Sequence, residues 1–184
     1  FSTGDAINNM SFYNYQIINR STNILNETYF GIWTDVDLGG ATDDFTGCDI
    51  GRGLGYAYNG DDYDEDYAGN IGYHIQPPAI GLDFFEGPYK DPDGIDNESC
   101  YDTIDGELVL NCSAGDILNG NINGLNFGDG EIDNERLGMT SFMVFNGSVG
   151  YPATGSPNDA MDFYNYLRST WKDGTHLYYG GTGY

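Results

Sequence analysis

The order of apolar and polar residues changes character several times along the chain, and each change predicts an element. Residues 10–19 set Phe12, Asn14 and Gln16 against Tyr13, Tyr15 and Ile17, and aromatic and β-branched side chains in alternation suit a pleated, half-buried strand. Residues 26–37 predict a second strand, joined to the first by the polar turn at residues 20–23 as an antiparallel hairpin. Over residues 38–69 Gly, Asp and Tyr take over. A short apolar alternation survives at residues 53–59, whereas the acidic run of Asp61, Asp62, Asp64, Glu65 and Asp66 has no periodicity and reads as a loop. Residues 77–88, entered by Pro77-Pro78 and closed by Gly87-Pro88, read as an extended strand at the edge of the core. Residues 90–135 read as an insertion carrying a hairpin between Cys100 and Cys112, with its turn near Asp105-Gly106. Residues 137–146 return to strand character.

One helix follows. Ser156, Pro157 or Asn158 caps it, Asp159 and Asp162 occupy its first turn, Met161, Tyr164, Leu167 and Trp171 form its apolar stripe, and Gly174 ends it. The expectation is a mainly β chain, an antiparallel β-sandwich with long Asp/Gly-rich loops and one C-terminal-proximal α-helix. It reads as a single module over residues 1–184 with the insertion at 90–135.

Composition supports a folded chain: 39% of its 184 residues are hydrophobic, with 16 Tyr and 10 Phe, enough to build a packed interior. Its 28 Gly against 6 Pro, with abundant Asn and Asp, mark tight turns between short strands. No run approaches the length of about 18 apolar residues that a membrane span requires, so no membrane insertion is expected. The opening at Phe1 carries no secretion signal and reads as the start of a mature or fragmentary piece of a longer protein. Charge narrows the partners. With 29 acidic residues against 6 basic ones and a net charge of -23, the chain repels nucleic acid and anionic membrane, which are bound by clustered Lys and Arg. Cations are its natural partners.

Two acidic segments have the alternating carboxylate spacing of calcium loops, in which oxygen ligands turn inward around one hard cation. In the first, Asp91, Asp93 and Asp96 are candidate ligands, Gly94 permits the turn and Glu98 offers a further contact. The second holds Asp129, Glu131, Asp133 and Glu135 and shares Ile-Asp-Asn-Glu with the first, which would place Asp96, Glu98, Asp133 and Glu135 around shared or adjacent sites. A third candidate cluster comprises Asp35, Asp37, Asp43, Asp44 and Asp49. Asp-Gly and Asp-Asn clusters also make ordinary surface turns, and the run at 61–66 reads first as a solvated face. Calcium is the expected cofactor.

Of three cysteines, Cys100 and Cys112 are the favoured disulfide, leaving Cys48 over; three reduced thiols are the alternative, and the spacing fits no paired zinc pattern. No catalytic site is expected. Carboxylate pairs such as Asp83 and Glu86 arise by chance in so acidic a chain, and His74 and His176 lie in no metal-hydrolase motif. Trp171, Tyr178 and Tyr179 are candidates for stacking on sugars, although core packing or a subunit interface explains them equally well. The Asn-x-Ser/Thr sequons at Asn19, Asn26, Asn97, Asn111 and Asn146 are as numerous as an Asn-rich chain gives by chance.

Several stretches together resemble large secreted surface proteins of Bacteroidota. They are Phe12-Tyr13-Asn14-Tyr15; Asp43-Asp44-Phe45 with Gly47-Cys48-Asp49; Leu54-Gly55-Tyr56 with Tyr58-Asn59-Gly60-Asp61; Pro77-Pro78-Ala79-Ile80-Gly81 with Asp83-Phe84-Phe85 and Gly87-Pro88; and Trp171-Lys172-Asp173-Gly174. In that group such regions precede a C-terminal sorting domain for type IX secretion. The resemblance implies export and an extracellular or cell-surface location where calcium is available. It brings no known activity. It also implies O-glycosylation at Thr103, in the short signal Asp102-Thr103-Ile104. The function expected is a non-catalytic, calcium-stabilised surface module with a structural, adhesive or filament-forming role, contacting neighbouring domains or identical subunits. The alternative is a carbohydrate-binding or carbohydrate-active accessory domain with glycans as partners.

Overall fold

The computed structural model describes residues 4–90, 92–99, 101–104, 107–110, 124–145 and 152–177. Strand β1 (Asp44–Asp49) turns back through a 3-10 turn at Ile50–Arg52 into β2 (Leu54–Asn59). Asp49 organises that reversal: its carboxylate accepts the Arg52 N–H at 3.2 Å and pairs with the Arg52 guanidinium at 2.5 Å. Gly53, at φ +65°, then takes the left-handed conformation that L side chains resist. A small ladder of β3 (Tyr63–Asp64) and β4 (His74–Ile75) follows, and β5 (Ala79–Asp83) lies antiparallel on the other side of β2. The sheet order is therefore β1-β2-β5.

The register gives this sheet two unlike faces. Phe45, Gly47, Tyr56 and Tyr58 share one, where Tyr56 lies across its partner Gly47 and Phe45 stacks on Tyr58 with ring centres 6.1 to 6.2 Å from their neighbours. The other carries Asp44, Cys48, Gly55, Ala57 and Asn59, small or polar residues that let Phe142 rest directly on the backbone of Gly55. Ala57 and Leu38 are the fully buried apolar residues among those described.

The chain is mainly β, with antiparallel sheets and a single helix, as the pattern predicts. Strands β6 (Tyr101–Ile104) and β7 (Glu107–Leu110) pair antiparallel, Ile104 with Glu107, between the positions of the expected hairpin. The ladders beyond the main sheet have two strands each among the described residues, so the antiparallel sheets stand while their stacking as a sandwich is left to the sequence expectation.

The acidic run at residues 61–66, expected as a loop, contains strand β3, and further parts of the chain differ from expectation. Residues 10–19 and 26–37 belong to no strand: the turn forms, with Asn19 Oδ1 accepting from Ser21 N at 2.9 Å and Asn19 Nδ2 donating to Asn23 O at 2.9 Å, yet the arms make no ladder. Alternation selects residues able to line a sheet, but a ladder also needs a facing edge. These arms instead touch the rest through rings, Phe12 on Phe85 at 6.1 Å and Tyr29 on Tyr164 at 5.7 Å. Residues 137–145 likewise form no strand and serve as cover, through Phe142. Helix α1 (Ala160–Leu167) is capped by Asp159, whose carboxylate accepts from Met161 N and Asp162 N at 2.9 and 3.0 Å, in place of Ser156, Pro157 or Asn158. It ends at Leu167, where Ser169 at φ +57° breaks the repeat. Trp171 and Gly174 therefore belong to a separate turn, closed by Gly174 N on Trp171 O at 2.9 Å.

Candidate metal centre

The two Ile-Asp-Asn-Glu segments meet. Their scaffold is Arg136, whose Nε pairs with Glu86 at 2.8 Å, whose Nη1 donates to Gly87 O at 3.0 Å, and whose guanidinium lies 3.8 Å above the Tyr89 ring. Around it residues 88–90 run antiparallel to 135–137, with Lys90 N on Glu135 O and Leu137 N on Pro88 O, both at 2.9 Å. Leu125 and Arg136 exchange a further pair of backbone bonds.

On this scaffold the two arms clasp each other in matching fashion. Asp133 Oδ1 of the second arm accepts Gly94 N of the first at 2.8 Å; in return Asp96 Oδ2 of the first accepts Gly130 N of the second at 2.8 Å, and its Oδ1 accepts Gly128 N at 2.9 Å. Within each arm an aspartate closes its own turn, Asp93 on Ile95 N and Asp129 on Glu131 N, each at 2.9 Å. Each of these aspartates also receives an asparagine amide, Asn97 Nδ2 on Asp93 at 3.3 Å and Asn134 Nδ2 on Asp129 at 3.0 Å. Gly94 and Gly130, at φ +79° and +93°, permit the turns. The backbone N–H of Ile95, with Asn97 and Lys90, holds the Asp93 carboxyl below its ordinary range, and the N–H of Glu131, with Asn134, does the same for Asp129.

Glu135 links the two arms. It is 1% exposed, its Oε1 accepts Asn97 N at 2.5 Å, and its Oε2 is buried without a hydrogen-bond donor. Asn97 Oδ1 and Asn134 Oδ1 are buried acceptors in the same condition. The asparagines carry a signal that is legible in the repeated motif, since amide oxygens are ordinary ligands of hard cations. The carboxylates of Asp93, Asp96, Asp129 and Asp133 are turned to backbone N–H groups instead of inward on one point. Among the described residues no three Asp, Glu, His or Cys side chains converge as a metal group.

The remaining candidates are dispersed. Glu131 accepts from Asn134 Nδ2 at 3.3 Å, and Glu98 is exposed beside Gly128. Asp35 and Asp37 are exposed ahead of Leu38; Asp37 is close enough to act on Asp44, whereas Asp49 is held by Arg52 at the far end of β1 and leaves that cluster. Asp64 corrects the reading of 61–66 as a solvated face, because it is 0% exposed. Asp91, Cys100, Cys112, Tyr178 and Tyr179 lie outside the described residues, as do the sequon positions Asn111 and Asn146. Thr103 pairs with Leu108 in the β6–β7 hairpin. Trp171 is half-buried in a row of rings, edge-on to Tyr166 at 6.1 Å, which stacks on Phe145 at 5.5 Å. His74 bonds the Tyr63 hydroxyl at 2.9 Å and Glu86 is held by Arg136. Among the described residues no helix is long and apolar enough to cross a membrane.

No protein-family model, no curated protein and no solved structure matches this chain.

Proposed function

We propose that this chain is a non-catalytic, calcium-stabilised module of an extracellular surface protein, with a structural, adhesive or filament-forming role. The observation that carries this reading is the buried Glu135 oxygen, which has no donor although the residue bridges two reciprocally locked acidic arms. A buried carboxylate oxygen without a donor is costly, and a cation seated there would relieve it. The nearby donors are carboxylate and amide oxygens, without His or Cys, the set preferred by calcium over softer metals. A surplus of 23 negative charges favours such binding further. The likeness to Bacteroidota surface proteins exported by type IX secretion supports an extracellular setting. Tyr13, Tyr15 and Trp33, 74% to 77% exposed along the unpaired N-terminal arms, supply apolar surface for a neighbouring domain or an identical subunit.

Thermal unfolding in millimolar calcium and in excess chelator tests the reading. Calcium at 100-fold excess over Kd would add about 2.7 kcal/mol, a rise of several degrees for a chain of this size. Glu135→Gln, and Asp93→Asn with Asp96→Asn, should each lose most of the part of that rise that comes from this site. No calcium effect on the native chain, or the same rise in all variants, rejects calcium at the clasp.

The exposed indole of Trp33 favours a second reading, a carbohydrate-binding or carbohydrate-active accessory domain, because an open aromatic face can stack on a sugar ring. It requires saccharide-dependent quenching that disappears in Trp33→Phe; a glycan array without hits sets it aside.

A further inference from the structure

The main sheet ends in a second, separate group of buried oxygens. Asp44 opens β1 and Asn59 closes β2, and the two are register partners, so their side chains emerge next to each other on the same face. Asn59 is 7% exposed. Its Nδ2 is directed to the carbonyls of Asp61 and Tyr63 at 3.4 and 3.3 Å, which leaves Oδ1 as the free end of the amide, buried and without a donor. Asp44 Oδ2 accepts Leu38 N at 2.9 Å while its Oδ1 is buried without a donor, and the neighbouring Asp43 Oδ1 is in the same state. The wholly buried Asp64 reaches the same loop from β3, with Oδ1 on Gly40 N at 2.7 Å and Oδ2 on Tyr73 N at 2.6 Å. Gly39 and Gly40 allow that approach: a Cβ at Gly39 would collide with the Asp64 carboxylate, and one at Gly40 with the Glu65 carbonyl. Asp44 and Asp64 thus hold Leu38 and Gly40, two positions of one short loop.

None of the ion pairs among the described residues involves Asp37, Asp43, Asp44 or Asp64. The charges of Asp43, Asp64 and Asp37 lie close enough to Asp44 to repel its carboxylate. Three donorless oxygens, on the register partners Asp44 and Asn59 and on the adjacent Asp43, together with several like charges, are answered by a positive ion. The two carboxylates and one amide oxygen are hard donors of the kind calcium takes. We propose that the β1–β2 sheet end is a second cation site, in which Asp43, Asp44 and Asn59 ligate calcium and Asp64 positions the 38–40 loop beside it.

This site rests on different residues from the clasp, so the two can be tested apart. The full chain, stripped with chelator, is titrated with calcium by calorimetry as wild type, Asp44→Asn, Asp43→Asn and Glu135→Gln. Asp44→Asn keeps an acceptor for Leu38 N and places an amide donor where the free oxygen was, so its fold should survive; near-UV dichroism checks this, and Asp43→Asn is the milder variant if it does not. The expected result is a binding event in wild type that weakens at least tenfold in Asp44→Asn and Asp43→Asn and persists in Glu135→Gln. If only the clasp fails, wild type and Glu135→Gln bind equally and Asp44→Asn still loses the event. Unchanged binding in folded Asp44→Asn and Asp43→Asn, or no calcium binding by wild type, overturns the proposal.

Discussion

Cys48 stands on the buried face of β1, opposite Gly55 and under Phe142, with a free thiol. Burial raises its pKa, the Phe142 N–H lowers it by less, and the charge of Asp49 adds to the rise. A thiol whose folded value lies above its unfolded value keeps its proton longer in the native state. It therefore takes stability away as pH rises past the unfolded value, and the loss is complete once pH exceeds the folded one. Because the thiolate is the reactive form, alkylation of Cys48 in the native chain at pH 8 should be at least tenfold slower than in urea. Peptide mapping by mass spectrometry reads this at Cys48 alone, and equal rates would show that the Phe142 cover does not protect it. The sequence marks Cys48 as the odd cysteine, but its reactivity depends on a residue 94 positions away in the chain.

Among the elements, the clasp is where short-range pattern and long-range contact meet. Ile-Asp-Asn-Glu occurs twice in the sequence, and the two copies play equivalent parts: aspartates exchanged onto glycine N–H groups, asparagines bent back onto turn-closing aspartates. Asp96→Ala leaves two backbone donors, of Gly128 and Gly130, without their carboxylate. Water can reach both, so the cost should be at the low end for charged hydrogen bonds, about 1–2 kcal/mol. Asp133→Ala frees only Gly94 N and should cost less. Denaturant midpoints in chelator measure this, and the double variant should be less destabilised than the sum because both residues close one clasp. Equal midpoints for Asp96→Ala and wild type would mean that the Arg136 scaffold holds the arms unaided.

For the molecule as a whole, charge opposes compaction. A net charge of -23 sits on a chain whose fully buried apolar residues among those described are Leu38 and Ala57, so little core offsets the mutual repulsion. Raising sodium chloride from 0.1 to 1 M shortens the screening length from about 10 to 3 Å. Salt should accordingly raise the melting temperature of the chelated chain, and raise it less with calcium bound, since bound cations have already neutralised the densest carboxylates. A melting temperature insensitive to salt in chelator would show that surface repulsion is not what limits stability.

By itself the sequence determined the class of the fold, the sheet strand at residues 53–59, the edge strand after Pro77-Pro78, the hairpin after position 100 and a helix near the C-terminus. These follow from local periodicity, proline placement and capping chemistry, which act over a few residues. It also marked the two acidic arms, because their motif repeats. Only the tertiary structure decided that residues 10–37 lie unpaired, that Asp49 leaves the third cluster for Arg52, and that Asp64 is buried among glycines while its neighbours face water. Pairing and burial depend on which distant backbone supplies an edge or an N–H group, and a carboxylate in an acidic run looks the same on paper whether its partner is solvent or Gly40.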